Sequence, residues 1–581
     1  MGIEAGITAE ELKNAPMPGR IGSLMENAGQ RGWAEAAPML RQTAIAAYET
    51  NSSAAGAWYY LYRWAALLGT PQARALPQWI EAVEKAKVGH PNMPTRYTPQ
   101  PGALAACCSP ALQNFMLGSL PFSEEFFVTL APVDNPVAVL SILQQLYAAE
   151  PARFAEYQNL AIAIAVVFDV PPPPQWPHGQ VSAAALPRRL PDPLAAFAYW
   201  CKLDQGNISM HRLRRLPASE LKFLVDEVAP FAELDWARHN VGPGIAELGR
   251  AYDLIRYRKD RPAQNAYMWP LPDYRLPTIL REGGICVDQA YFASTAGKAK
   301  GIPTIMFRGA GLDGRHAWFG YLDGQDRWQT DCGRYAEQKF VVGLAYDPQT
   351  WGDINDHELL FLTDRFRALP TYRVSVLDAQ FAAEYLQDGK YSLAIKAAKE
   401  AVNRERHNLP AWNTYLQAQE GLARGDARAR EGVLRQAMLA FQNYPDLDVA
   451  FTKQLVASLR SRGEGSVAAI EEQRIARQYR TDRTDLSIQQ AADTLEHSMR
   501  QDPVPTQMRV YEQVLESYGR GAGIDFFDKI VRPFASHLGE EHQLPAALLA
   551  LDRARPYLRM ERGGQLEAEL NAFTARLKSG K

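Results

Sequence analysis

The first 170 residues place hydrophobic and polar positions with the spacing of packed helices. From Trp33 to Leu68, apolar residues recur three and four positions apart, which sets them on one helix face. The run Ala57–Gly69, AWYYLYRWAALLG, ends on a glycine, the residue that commonly follows the last turn of a helix. We therefore expect an N-terminal helical region over residues 1–170.

Prolines interrupt this pattern between residues 168 and 193. The segments FDVPPPPQWPHG and LPRRLPDP cannot lie inside a helix, because proline lacks a backbone N–H and clashes with the preceding turn. An extended or polyproline II strap is predicted there. Helical spacing resumes at about Leu194, so a second region, 171–240, is expected to combine the strap with helices.

The pattern changes again between Gly283 and Leu362, where short apolar runs alternate with glycine and aspartate turns. We predict a core over residues 241–368 in which an antiparallel sheet packs on one helix. After Pro370 the helical spacing returns and continues, which defines a fourth region, 369–581. The predicted fold class is a multidomain, mostly α protein with one central α+β core.

Residues 378–402 resemble a tetratricopeptide repeat. Small and aromatic residues occupy positions through which the two antiparallel helices of such a repeat pack: Ala382, Tyr385, Gly389, Tyr391, Ala394, Ala398 and Ala401. Trp412 follows Asp378 by 34 residues, one repeat period. A generic helical hairpin with alanine contacts is the alternative. Either structure makes this region a scaffold or a binding surface for a protein partner.

Composition narrows the function classes. The 581 residues suggest three or four packed units, and 63 basic against 65 acidic residues leave a net charge of -2 without a dense basic run. Nucleic acid is therefore not an expected partner. The most apolar stretch, Leu160–Val167, is too short for a transmembrane segment, so a core helix or strand is expected. The start, MGIEAGITAEEL, lacks the pattern of a secretory signal, so the location stays open between the cytoplasm and, if a signal was removed, the periplasm or the outside of the cell.

The cysteines and histidines do not predict a disulfide scaffold or a metal site. There are five cysteines, and the adjacent pair Cys107 and Cys108 is unsuited to an ordinary bridge. No zinc-binding spacing occurs; His537 and His542 flank LGEE and are expected to be solvated residues at helix ends. We predict neither a structural zinc nor a cofactor.

One cysteine is placed for chemistry. Gly283 and Gly284 permit a tight turn, after which residues 286–300 have helical spacing and end at Gly301. Cys286 therefore lies in the first turn of a helix. The positive end of the helix macrodipole favours a thiolate there, and the backbone N–H of the cysteine is placed to stabilise an oxyanion.

A hairpin follows this helix. The predicted order is a strand over residues 303–308, the loop GAGLDG, the strand RHAWFGYL, an Asp-Gly turn and the strand RWQTDC. His316 opens the second strand and Asp331 closes the third, so antiparallel pairing is expected to bring them side by side. A general base and the carboxylate that orients it require such an arrangement.

These residues together resemble the transglutaminase-like core of the papain-like superfamily, over about Leu280 to Leu362. The matching residues are Gly284, Cys286, Ala290, Gly301, Ile302, Pro303, His316, Ala317, Trp318, Trp328 and Asp331. By this resemblance Cys286 is the nucleophile, His316 the base and Asp331 the orienting carboxylate. Taken singly, each residue has an ordinary structural explanation: Cys286 as a core residue, His316 as a structural histidine and Asp331 as a residue that caps a turn.

Two positions depart from the cross-linking members of that superfamily. Val287 stands where they carry a tryptophan after the cysteine, and Gly320 stands where an acidic residue is common. The prokaryotic branch, with its peptidases and amidases, is closer. The expected function is hydrolysis of a peptide or protein amide bond through a thioester. Amine transfer or peptide cyclisation is the first alternative, and a catalytically silent interaction protein the second.

Further site residues follow from this interpretation. The indole N–H of Trp269 and the hydroxyl of Tyr274 are candidate oxyanion donors. Gly284, Trp318, Gly309 and Gly311 are candidates for the substrate groove. Cys332 alternates with Asp331 along the strand and is expected to be structural. The GAGLDG loop leads into a strand, which argues against a dinucleotide site and for a simple bend.

Overall fold

Helices make up most of the computed structural model, which describes residues 7–8, 10–91, 93, 100–311, 313–334, 342–422, 427–479, 483–519 and 522–579. The helices of the N-terminal half are α1 (Pro18–Arg31), α2 (Trp33–Glu49), α3 (Ala55–Leu68), α4 (Gln72–Ala86), α5 (Pro110–Gly118), α6 (Leu120–Thr129), α7 (Pro136–Ala149), α8 (Pro151–Glu156), α9 (Gln158–Val167), α10 (Pro193–Gln205), α11 (Ala218–Val225), α12 (Phe231–Asn240), α13 (Asp260–Ala263), α14 (Leu276–Glu282) and α15 (Cys286–Lys298).

A five-stranded antiparallel sheet follows α15, and helices then continue along the chain. The strands are β1 (Thr304–Ala310), β2 (Arg315–Leu322), β3 (Trp328–Cys332), β4 (Leu344–Tyr346) and β5 (Asp353–Asn355), in the order β3-β2-β1-β4-β5. The later helices are α16 (Asp356–Leu362), α17 (Pro370–Gln387), α18 (Tyr391–Arg404), α19 (Leu409–Leu422), α20 (Ala427–Ala440), α21 (Pro445–Ser461), α22 (Gly465–Gln478), α23 (Thr484–Gln501), α24 (Val504–Tyr518), α25 (Ile524–Phe526), α26 (Arg532–Glu540), α27 (Leu544–Ala554) and α28 (Gln565–Ser579). The mostly helical, multidomain character predicted from the sequence is confirmed.

The chain forms two compact units that are discontinuous in sequence. The first comprises Met1–Met306, Phe319–Cys332 and Ala345–Ile354, and the second comprises Phe307–Trp318, Gly333–Leu344 and Asn355–Lys581. Of the predicted triad, Cys286 and Asp331 therefore belong to the first unit and His316 to the second.

Aromatic side chains and one wholly apolar helix form the core of the first unit. Every residue from Leu160 to Val167 in α9 is fully buried, which confirms the core element expected there. The ring of Trp64 stacks 4.6 Å from that of Phe126, and its indole N–H donates to the hydroxyl of Ser123 at 2.8 Å. Between residues 168 and 192 the described chain has no helix or strand, as its prolines predict.

The second unit contains the helical hairpin predicted near residue 378. α17 and α18 pack against each other, and Gly389, with a φ of 68°, lies in the turn between them. Ala394, Ala398 and Ala401 are fully buried, which lets the two helices approach closely. The sequence pattern therefore located this hairpin correctly; its relation to tetratricopeptide repeats stays a prediction.

Candidate active site

Cys286 is the first residue of α15, and two glycines shape the turn before it. Gly283 has a φ of 78°, and a Cβ there would lie 2.4 Å from the carbonyl oxygen of Arg256. A Cβ on Gly284 would lie 2.3 Å from the Cβ of Asp288. Since only glycine fits these positions, the Gly-Gly pair sets the half-buried thiol of Cys286 at the start of the helix.

Asp288 closes the first turn of α15. Its Oδ2 atom accepts the backbone N–H of Ile285 at 2.8 Å and a hydrogen bond from Nη1 of Arg261 at 2.6 Å. Its Oδ1 atom accepts the hydroxyl hydrogen of Tyr274 at 2.8 Å. Burial raises the pKa of the Asp288 carboxyl, and the three donors oppose that effect by stabilising its charged form. One buried side chain thus ties the start of the helix to two neighbouring segments.

Tyr274 in turn contacts His178, and each group of this network donates its hydrogen towards Asp288. The backbone N–H of Gln180 donates to Nδ1 of His178 at 3.3 Å, and Nε2 of His178 lies 2.8 Å from the Tyr274 hydroxyl. Burial lowers the pKa of His178 to about 3, so the ring is neutral and carries its hydrogen on Nε2. The series of donors therefore ends on the Asp288 carboxylate.

Trp269 and Tyr274 are not directed as oxyanion donors, which corrects the expectation from the sequence. Trp269 donates its indole N–H to the carbonyl oxygen of Asp273 at 3.0 Å. Tyr274 donates its hydroxyl hydrogen to Asp288. Both rings are buried, with centroids 5.0 Å apart. Because each side chain has one polar hydrogen, neither retains a donor for substrate.

The imidazole of His316 is held by a backbone carbonyl and by an aromatic ring. His316 lies in β2, is 5% exposed, and its Nε2 atom is 2.7 Å from the carbonyl oxygen of Gly333. A carbonyl oxygen only accepts, so Nε2 carries the hydrogen and the lone pair of the neutral ring is on Nδ1. The Trp318 ring lies 5.9 Å away, at an interplanar angle of 23°. Nδ1 is therefore the nitrogen that can take up a proton.

Trp318 is fully buried and supports the histidine, which corrects its prediction as a groove residue. The Phe307 ring lies 6.0 Å from it, and the Arg334 guanidinium lies over its face at 4.7 Å. A Cβ on Gly343 would lie 2.7 Å from the indole, so glycine is needed there. Arg334 is itself paired with Asp356 at 3.2 Å. The indole is thus held by an aromatic ring and by a paired guanidinium.

The glycines proposed for the groove are packed in turns or in the sheet. Gly284 is buried in the turn before α15. Gly311 is also buried: its N–H donates to Gly314 at 2.8 Å, and its carbonyl accepts the N–H of Ile524 at 3.3 Å. Gly309, in β1, is half-buried. Gly284 and Gly311 therefore do not line an open groove.

Asp331 lies in β3 where the hairpin is irregular. The β2–β3 ladder pairs Phe319 with Cys332, and a bulge follows, so Asp331 faces Gly320. The predicted hairpin forms, but Asp331 lies opposite a position four residues beyond His316 along β2. The carboxylate is also exposed. The side-by-side register expected from the sequence is therefore wrong: the turn spans residues 323–327 instead of the Asp-Gly pair alone, which shifts the pairing by three positions, and the bulge shifts it by one more.

Other thiols of the chain are held in their protonated form by burial. Burial raises the pKa of Cys108 and of Cys332 to about 12, and it also raises the pKa of Cys107 and of Cys201. Cys332 is half-buried, and its structural role stays a prediction. These four thiols are poor nucleophiles at neutral pH.

In the part of the chain that the structure describes, no group of three or more His, Cys, Asp or Glu side chains could hold a metal ion. His537 lies in the last turn of α26, and His542 lies in the turn that follows it. Among the described residues no helix is both long enough and apolar enough to span a bilayer.

Comparisons with protein-family models, with curated proteins and with solved structures give no match for this chain.

Sequence reasoning missed the network around Asp288. An acidic residue at the third helical position is a capping signal and could have identified Asp288. Arg261 and His178 gave no local signal, because their partners are 27 and 96 residues away in sequence.

Proposed function

We propose that this chain is a thiol-dependent enzyme in which Cys286 attacks the carbonyl of a peptide or amide. The position of Cys286 as the first residue of α15, in a turn that Asp288 holds closed, carries the proposal. The macrodipole at this position favours a thiolate over a thiol. The backbone N–H of Cys286 then stabilises the oxyanion that forms on the carbonyl oxygen.

His316 is the proposed base and acts through Nδ1. This nitrogen takes the proton of the Cys286 thiol, the sulfur adds to the carbonyl carbon, and the C–N bond breaks as the tetrahedral intermediate collapses. The imidazolium gives its proton to the leaving amine, which leaves an acyl-thioester on Cys286. Water then loses a proton to Nδ1 and attacks the thioester, and the returning thiolate releases the carboxylic acid.

In this proposal, a backbone carbonyl orients the imidazolium of His316 and a carboxylate stabilises its charge. The carbonyl oxygen of Gly333 accepts the Nε2 hydrogen and so fixes the ring orientation. Asp331 contributes negative charge that stabilises the protonated ring. The Asp331 carboxylate therefore acts by electrostatic attraction, while the carbonyl of Gly333 sets the tautomer of His316.

We assign the sheet and α15 to a transglutaminase-like core and water to the role of acceptor. The support is the order of Cys286, His316 and Asp331 with their flanking aromatic residues. Val287 and Gly320 stand where cross-linking members carry a tryptophan and an acid, which favours hydrolysis over amine transfer.

The test uses p-nitrophenyl acetate as a general acyl donor. We expect a burst of p-nitrophenol and an acetyl group on the Cys286 peptide that hydroxylamine removes. Cys286→Ala abolishes both, and His316→Ala slows the burst by at least about 100-fold, as general-base catalysis of this kind contributes. Cys332→Ala is the matched control and keeps the full burst. A burst that survives in Cys286→Ala contradicts the proposal.

The acceptor is tested separately with casein as the protein substrate. Incubation in water is expected to give shorter peptides, and added methylamine is expected to leave their masses unchanged. Peptides that carry methylamine in place of a free carboxyl would overturn the assignment of water as acceptor.

A further inference from the structure

The loop between β1 and β2, which leads directly into His316, is bound by the last helices of the chain. Both the loop and these helices belong to the second unit. The backbone N–H of Arg315 donates to Oε1 of Gln565 in α28 at 3.0 Å. The residue that precedes the proposed base is thus attached to a helix about 250 positions later in the sequence.

The side chain of Arg315 makes the strongest part of this attachment. Its guanidinium contacts Glu569 through Nη2 at 2.9 Å and through Nε at 3.3 Å, and it contacts Asp528 through Nη1 at 2.7 Å. Because two nitrogens of Arg315 bind the Glu569 carboxylate, this pairing fixes the orientation of the guanidinium as well as its distance. Arg532 lies 2.9 Å from Glu569 and 3.2 Å from Asp528, so two arginines and two carboxylates form one network.

Backbone contacts reinforce the same attachment on the other side of the loop. The N–H of Ile524 donates to the carbonyl of Gly311 at 3.3 Å, and the N–H of Glu561 donates to Oδ1 of Asp313 at 3.3 Å. A Cβ on Gly564 would collide with the Asp313 carboxylate. Two residues of the loop and the first residue of β2 therefore contact α25, α28 and the segment before α28.

The helices that hold the loop are themselves packed around a buried apolar core. A single π-helical turn, Phe527–Val531, precedes α26, and Phe527, Ile530 and Val531 in it are fully buried. The Arg532 guanidinium lies 4.8 Å from the Phe527 ring centroid, which orients it towards the network. Turns of this kind are often found at functional sites. The network thus rests on a packed core rather than on flexible side chains alone.

We propose that α25–α28 position the general base, and that Arg315 is the positioning residue through which they do so. The role of the base rests on the proposed function of His316; the attachment itself rests on the contacts of the loop. On this view residues 522–579 belong to the machinery of the reaction and are more than a scaffold for partners. Loss of the attachment displaces His316 without altering its chemistry.

We expect the loss of the attachment to lower the reaction rate much more than the overall stability. The ion pairs are partly exposed, so their loss changes overall stability little. A displacement of the imidazole by about 1 Å, in contrast, can lower a reaction rate by up to about 100-fold. We therefore expect Arg315→Gln to lower kcat for the p-nitrophenyl acetate reaction by roughly 10- to 100-fold with little change in KM.

The experiment compares Arg315→Gln with Arg435→Gln in the full chain. Arg435 is a matched control, because it also pairs with two carboxylates, Glu431 at 2.9 Å and Glu471 at 3.0 Å, and its side chain is 45% exposed against 42% for Arg315. Backbone hydrogen exchange of residues 315–318 supplies a readout that does not depend on catalysis. Arg315→Lys, which retains one charge but not the planar fork, is the conservative variant.

Arg315→Gln is expected to speed exchange at residues 315–318 by about ten-fold or more, to lower kcat, and to be partly rescued by Arg315→Lys. Arg435→Gln is expected to change neither quantity. Unchanged exchange in Arg315→Gln overturns the attachment, and faster exchange with unchanged kcat overturns the positioning role. If the wild-type protein shows no acyl transfer, the proposed function fails, while the exchange result still decides whether the attachment exists.

Discussion

Replacing Arg261 with methionine removes the cation that the start of α15 depends on. Arg261 is 5% exposed and donates to Asp288 at 2.6 Å, to the carbonyl of Tyr267 at 2.9 Å and to the carbonyl of Ala266 at 3.2 Å. Methionine fills most of the same space but provides none of these donors. The Asp288 carboxylate then remains fully buried with only the Ile285 N–H and the Tyr274 hydroxyl.

The magnitude follows from the burial of both partners. Removing one member of a buried ion pair costs about 3–5 kcal/mol, because the other charge stays desolvated. Asp288 can relieve part of this cost by taking up a proton, since burial already raises its pKa. We therefore expect Arg261→Met to lower the free energy of unfolding by about 3 kcal/mol at pH 8.

The pH dependence has a defined sign. Without the cation, the pKa of the buried Asp288 carboxyl rises further, so the folded variant binds a proton at a pH where the unfolded chain does not. Stability of the variant relative to the wild type therefore improves as the pH falls from 8 to 5.5. The double variant Arg261→Met with Asp288→Asn is expected to lose less stability at pH 8 than the single variant.

Urea unfolding monitored by tryptophan fluorescence at pH 5.5 and pH 8 tests this prediction. Arg258→Met is the control: Arg258 pairs with Asp260 at 2.6 Å, but the two side chains are 33% and 48% exposed, so a much smaller loss than that of Arg261→Met is expected. If Arg261→Met costs no more than Arg258→Met, or if its cost is the same at both pH values, the buried pair does not hold the turn.

Three further predictions concern the same structural elements. Gly284→Ala forces the Asp288 side chain away, because the added Cβ would lie 2.3 Å from its Cβ, and a loss of about 2 kcal/mol or more in urea unfolding is expected. Glu220, whose pKa burial raises to about 7, accepts the indole N–H of Trp328 at 2.7 Å. Stability is lost as the pH rises from about 4.5 to about 7 and the loss is complete above that, because the unfolded chain releases this proton at a lower pH than the folded one. Glu220→Gln is therefore expected to raise the melting temperature at pH 8 and to have less effect at pH 5.5; an equal effect at both would contradict this. Asp331→Asn is expected to lower the p-nitrophenyl acetate rate by less than about ten-fold, since a backbone carbonyl already orients the imidazole; a loss near 10⁴ would mean that the carboxylate orients it directly.

The sequence located those elements whose cause is local. The start of α15 at Cys286 follows from the Gly-Gly pair and the helical spacing after it, and the buried helix α9 follows from an unbroken apolar run. The break at residues 168–192 follows from proline, which cannot donate a backbone hydrogen bond. In each case a few neighbouring residues decide the backbone conformation.

The sequence did not locate features that depend on distant partners. The register near Asp331 depends on a turn over residues 323–327, longer than its Asp-Gly pair indicated, and on a bulge that neither strand signals by a residue pattern. The donors of Trp269 and Tyr274 looked available because their acceptors, a backbone carbonyl and a buried carboxylate, become visible only in the folded chain. The contact between Arg315 and Glu569 joins residues 254 positions apart, which periodicity cannot reveal.

The central claim, an activated thiolate at Cys286, is tested most directly by the rate of iodoacetamide alkylation as a function of pH. Mass spectrometry of the native protein follows each cysteine separately, and Cys108 and Cys332, with pKa values raised to about 12, serve as internal references. We predict that Cys286 reacts first and that its half-maximal rate lies well below about pH 8.5, the value for a free cysteine. A half-maximal rate at or above that value, or a rate no faster than in the urea-denatured chain, would contradict the account.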